Sequence, residues 1–104
     1  MSNNELLSAT LSAARDERRA TAELLSLLAE VDARRLYLGE GCSSLFAYCT
    51  QVLHLSEHAA FHRIEAARAV RQFPVILELV ATGDVTLTTV AMLRAHFPAS
   101  RARS

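Results

Sequence analysis

The chain is predicted to fold as an all-α, compact bundle of four to five helices, with a long N-terminal helix and a helix-turn-helix-like pair. Three observations lead there. Alanine and leucine, both strong helix formers, supply about a third of the 104 residues. Only three glycines and two prolines punctuate the chain, too few for a many-turned all-β design. Hydrophobic residues amount to 51% and charged residues to 21%, which is the composition of a globular chain rather than a disordered one. The length suits one domain, expected over residues 1–98 and followed by a disordered tail at 99–104.

The first helix is expected over about 4–38, a stretch without glycine or proline. Ala20, Leu24, Leu27, Val31 and Leu38 recur in it as a near-heptad apolar stripe, and Glu30 and Arg34 form an i,i+4 pair in the favourable order. Its first half carries Leu6, Leu7 and Leu11 and then the charged block Arg15 to Arg19. A helix of about 35 residues measures roughly 52 Å, more than the width of a small domain. It therefore either breaks near the charged block or projects from the bundle and seeks a partner. On the second option Leu6, Leu7, Leu11 and Leu24 are the interface candidates.

Gly39-Glu40-Gly41 is expected to end this helix. Ser43 or Ser44 then caps a helix over about 44–53, and Ser56 caps another over about 57–72. Phe73-Pro74 breaks the chain and Pro74 suits the first turn of a helix over about 74–82, closed by Thr82-Gly83-Asp84. Thr86 caps the last helix, over about 86–96.

Eleven arginines balance eleven acidic residues, with no lysine, so the formal net charge is zero. That balance argues against bulk electrostatic capture of nucleic acid or of an anionic membrane. Cys42 and Cys49 lie seven apart and match no zinc or redox spacing, which suits a reduced compartment. No basic stretch leads into an apolar core at the N-terminus, and no apolar run nears the ~20 residues of a membrane span. A soluble, cytoplasmic protein is expected.

The pair of helices flanking His54-Leu55-Ser56 has helix-turn-helix spacing, although the turn lacks the usual glycine. In that geometry the second helix offers His58, His62, Arg63, Arg68 and Arg71 to a duplex. Packing alone explains many such pairs. Arg63 falls on the helical wheel among Ala59, Ala60, Ala66, Ala67 and Val70. It is either paired with a carboxylate, the commoner outcome, or reaches a phosphate. His54, His58 and His62 recur every four residues, but no H-E-x-x-H pattern and no phosphate-binding glycine loop accompany them. No metal site, cofactor, small-molecule substrate or catalytic residue is expected.

The phrases Leu-Tyr-Leu-Gly-Glu-Gly-Cys-Ser-Ser-Leu-Phe-Ala-Tyr-Cys from Leu36 and Leu-His-Leu-Ser-Glu-His-Ala-Ala-Phe-His-Arg-Ile-Glu-Ala-Ala-Arg from Leu53 stand out in order. Arg-Gln-Phe-Pro-Val-Ile-Leu-Glu-Leu from Arg71 and Gly-Asp-Val-Thr-Leu-Thr-Thr-Val from Gly83 follow. Their succession resembles the helical N-terminal region of bacterial HNH endonuclease signature proteins, over roughly residues 20–98. In that family a C-terminal HNH module hydrolyses DNA, and the resemblance implies that the helical region supports DNA binding or assembly. The chain departs from the family in two respects: its only asparagines, Asn3 and Asn4, precede every histidine, so no His…Asn…His order exists, and no strand pair of the kind an HNH metal finger needs is expected. No family catalytic residue can be carried over, and the chain looks like the front half of such a nuclease. The expected function is a non-catalytic DNA-associating or assembly module, with Arg63, Arg68, Arg71 and His62 as the DNA-contact candidates. The alternative is a protein-interaction module that forms a homodimer without touching DNA.

Overall fold

A computed structural model describes residues 1–96, with side-chain surroundings through Arg94; the tail expected at 99–104 lies outside the described residues. Five helices follow one another: α1 (Asn3–Arg34), α2 (Leu45–Ala47, continued by a π-helical turn over Tyr48–Val52), α3 (Glu57–Gln72), α4 (Val75–Thr82) and α5 (Leu87–His96), with a 3-10 turn over Leu36–Glu40 between α1 and α2. Among the described residues there is no strand, and no helix is long and apolar enough to cross a membrane.

α1 does not break. It runs unbroken for 32 residues, about 48 Å at 1.5 Å per residue, and the molecule's longest dimension is 50 Å. Ser2 starts it with a capping box: Ser2 Oγ accepts from the Glu5 backbone, and the Glu5 carboxylate accepts from the Ser2 backbone. Hydrogen bonding from the Ser2 backbone N–H, and next from its side chain, holds the Glu5 carboxyl below its ordinary value. Residues 1–17 touch no core, and Leu6, Leu7 and Leu11 are exposed.

Two expectations for α1 need correction. The helix stops at Arg34 rather than near Leu38, because Arg35 takes the left-handed conformation (φ 54°) and its N–H caps Asp32 and Val31 carbonyls. The early stop lets the 3-10 turn bring Tyr37 against the core while Leu38 stays exposed. The buried face is also not the expected stripe. Ala22, Leu25, Leu28 and Ala29 are buried, whereas Ala20 and Leu27 are exposed. Leu24 and Val31, at the edge of this face, pack partly against the chain's own core, so Leu24 is not free for a partner. The true face was hidden because three of its members, Arg18, Thr21 and Asp32, are polar.

The remaining caps fall where turn chemistry puts them. Ser44 (not Ser43) accepts from Ala47, Ser56 from Ala59, and Thr86 from Thr89. The expected helix at 44–53 keeps its span but widens into a π turn, with Leu53 N–H reaching Tyr48 O. Thr50 Oγ1 lies at 3.0 Å from Phe46 O and 3.3 Å from Ala47 O, a side-chain bond that competes with the regular ladder. His54 (φ 59°) occupies the left-handed turn position that a glycine usually fills.

α3 lies at the centre. Ala66, Ala69 and Val70 join Ala22 and Leu25 of α1, Val80 of α4 and Val90 of α5 in one cluster. Ala60, Ile64 and Ala67 join Leu28 and Ala29 of α1 with Leu45 and Cys49 of α2 in a second. The alanines lack bulk, so neighbouring helices approach α3 closely. Gly83 ends α4 at φ +87°, and a Cβ there would stand 2.9 Å from Arg18 Nε. The Arg18 side chain thus crosses the C-terminal end of α4, where the helix dipole favours a cation.

Leu25 is fully buried and Leu7 is 68% exposed. Leu25→Ala is therefore expected to lower unfolding free energy by about 2–5 kcal/mol. Leu7→Ala should change the stability of the dilute chain by less than about 0.5 kcal/mol. Urea denaturation of both variants measures the contrast, and a cost at Leu7 matching that at Leu25 would mean that the outer half of α1 folds back onto the bundle.

Candidate functional site

The two successive turns at the end of α3 bring Arg68, Arg71 and Gln72 to one side of that helix, facing α1 and α5. Asp32 of α1 meets them. Its Oδ2 lies 3.2 Å from Arg68 Nε and 3.6 Å from Arg71. The Asp32 side chain is 11% exposed, whereas those of Arg68 and Arg71 are 41% and 51% exposed. One nearly buried carboxylate therefore anchors the inner edges of two guanidinium groups whose outer edges remain open to solvent.

Arg94 of α5 completes the arrangement. With Asp32, Arg68, Arg71 and Gln72 it lines a cavity of about 320 Å³. Its Nε is enclosed and makes no hydrogen bond among the described residues. Three arginines against one aspartate leave two positive charges at this spot, in a chain whose formal net charge is zero. A planar guanidinium presents its donors as a fork that fits a carboxylate or a phosphate. The pocket is thus chemically suited to an anion.

The structure separates the residues that sequence reasoning grouped. Arg68 and Arg71 share the pocket. Arg63 lies on another side of α3, where its guanidinium donates to the Ala59 carbonyl at 3.4 Å. The carboxylate partner expected for Arg63 is absent among the described residues; on α3 it is Arg68 and Arg71 that pair with a carboxylate. His62 stands apart as well, half-buried against His58 with the ring centroids 4.1 Å apart and against Phe61. Among the described residues no three histidine, cysteine, aspartate or glutamate side chains gather as metal ligands would. Arg94 and Asp32 escaped the sequence reading. The local signal for Asp32 was a charged residue at helical spacing from Leu25 and Leu28, on the face that packs inward.

A second cavity, of about 380 Å³, adjoins the first and shares Gln72 and Arg94 with it. Its walls are otherwise apolar and come from α3, α4, α5 and the turns between them. Comparison of the chain with family models, curated proteins and solved structures found no match in any of the three.

The most buried ionisable group lies away from the pocket. Cys49 of the π turn is fully buried; burial pushes its thiol above the ordinary value of 9.0, and the nearby positive charge of Arg63 opposes the shift. Above that ordinary value the unfolded chain releases the proton while the folded chain keeps it. Stability is therefore full below pH 9.0 and falls as the pH rises through the folded-state value. Urea midpoints measured from neutral to alkaline pH should decline more steeply for the native chain than for Cys49→Ala; parallel declines would show that this thiol contributes nothing to the slope.

Proposed function

We propose that the chain is a non-catalytic helical module that associates with DNA through phosphate contacts. The observation that carries this reading is the pocket where Arg68, Arg71 and Arg94 surround the single carboxylate of Asp32. Guanidinium forks held at one edge and free at the other suit phosphate oxygens, which position a protein on a duplex without reading its sequence. The overall charge balance keeps non-specific attraction low, so the contact depends on this patch rather than on the field of the whole chain. The resemblance to the helical part of HNH endonucleases supports the same assignment. Arg63 and His62, outside the pocket, are not part of the proposed contact.

One further observation favours a second role, assembly. The outer half of α1 is a regular helix with three exposed leucines and nothing packed on it among the described residues. Exposed apolar side chains gathered on one helix commonly mark an interface.

Fluorescence anisotropy with a labelled duplex, across a range of salt concentrations, tests the DNA reading. Each phosphate contact adds about 0.9 to the slope of log affinity against log salt. Replacing Arg68, Arg71 and Arg94 by alanine should lower that slope by about 2–3 and weaken binding at every salt concentration. Asp32→Asn, which removes the pocket's negative charge, should tighten binding. An unchanged slope in the triple variant, with cooperative melting retained, would place any DNA contact elsewhere. The same preparations should leave plasmid DNA intact in magnesium, manganese, nickel or zinc.

A further inference from the structure

α3 carries two histidines, one turn apart, that the anion pocket does not use. His58 and His62 are four residues apart in one helix, so at 100° per residue they point within about 40° of each other. His58 is exposed and His62 half-buried, and their ring centroids lie 4.1 Å apart, edge to face at 68°. No hydrogen bond or ion pair among the described residues engages either ring. Each neutral imidazole therefore keeps a nitrogen lone pair for a ligand.

The helix beneath the rings is held by contacts other than their own. Ser56 Oγ accepts from the Ala59 backbone at 3.1 Å, and Ala60 and Ile64 are buried against α1 and α2. The fold thus sets both histidine positions in advance, which lowers the cost of bringing two ligands to one ion. His54, four residues earlier, does not extend the row. It occupies the left-handed turn ahead of Ser56, outside the helix.

We infer that His58 and His62 form a two-point site for a divalent transition-metal ion of the copper, nickel or zinc class, with water completing the coordination. A metal about 2.0–2.1 Å from one nitrogen of each ring, with its bonds roughly 100° apart, sets the ring centres roughly 5 Å apart. The rings stand at 4.1 Å, so a small opening of the two side chains admits the ion. Histidines at i and i+4 on one helix face are the spacing that supplies two zinc ligands in helical metal sites. Imidazole nitrogen favours these ions over magnesium and calcium, which take oxygen ligands. No third histidine, cysteine or carboxylate joins the pair among the described residues, so the site is an open surface chelate rather than a closed structural cage. Glu57 in the first turn offsets the positive end of the helix dipole. Arg63 is directed to the Ala59 carbonyl on another side of α3.

Isothermal titration of nickel(II) into the untagged full-length chain, with thermal melting alongside, tests the inference. The native chain should bind one ion, and copper(II) should bind more tightly than nickel(II) or zinc(II). The bound ion should raise the melting temperature, since the ring spacing exists only in the folded helix. His58→Ala and His62→Ala should each weaken binding by at least about tenfold, because the second imidazole acts at a high effective concentration. The double variant should lose little beyond either single one. His62→Gln replaces His62→Ala if the latter does not melt cooperatively. His54→Gly, which suits the left-handed backbone at that position, should bind like the native chain. No binding by the native chain, or equal binding by the His58 and His62 variants, overturns the inference. So does a loss in His54→Gly as large as theirs, or additive losses in the double variant, because either result means that the imidazoles act singly.

Discussion

The close packing of α3 against α1 is the constraint on which the rest of the molecule depends. Ala60, Ala66, Ala67 and Ala69 give α3 several small buried positions, so other helices can approach it from more than one side. α1 contributes to both hydrophobic clusters, with Ala22 and Leu25 in one and Leu28 and Ala29 in the other. Larger residues at the alanine positions would force these helices apart and open the core. Once α1 and α3 are fixed, α2 closes one cluster and α4 and α5 close the other.

That packing also builds the charged pocket. Asp32 is one turn beyond Leu28 on α1, and Arg68 is beside Ala67 on α3, so the contact that buries the apolar side chains presses the carboxylate against the guanidinium. Asp32 is nearly enclosed, and the arginines are not. An unpaired carboxylate in that position would be costly, and the two arginines satisfy it while keeping donors free. The interaction thus belongs to the fold at its inner edge and faces solvent at its outer edge. Arg94 enters because α5 packs on the same stretch of α3, through Val90.

The unbroken α1 shows how local chemistry and tertiary packing divide the work. Its inner half is held by the bundle. Its outer half is sustained by helix-forming residues and the Ser2–Glu5 capping box, without burial. A helix of that kind is marginal by itself and persists as an extension of an already formed nucleus. It carries the apolar side chains of Leu6, Leu7 and Leu11 away from the core, where they stay exposed.

Much of this organisation was legible in the sequence. Caps and breakers placed α3, α4 and α5 almost to the residue: Ser56, Pro74, Gly83 and Thr86 act through their own backbone neighbours, so no distant contact was needed to read them. The face of α1 was not legible in the same way. Arg18, Thr21 and Asp32 sit on its buried side, and their polarity shifted the apparent stripe onto Ala20, Leu24 and Leu27. Whether a polar residue can face inward depends on what meets it there: the end of α4 for Arg18, and two arginines of α3 for Asp32. The end of α1 at Arg34 and the π turn at Tyr48–Val52 were likewise decided by packing and by side-chain bonds. Sequence periodicity alone determined that the chain is a succession of helices with a long first member, and the structure decided that this member runs on unbroken past the charged block. Which side chains share a pocket was decided only when those helices packed, because Asp32, Arg68, Arg71 and Arg94 lie on three helices far apart along the chain.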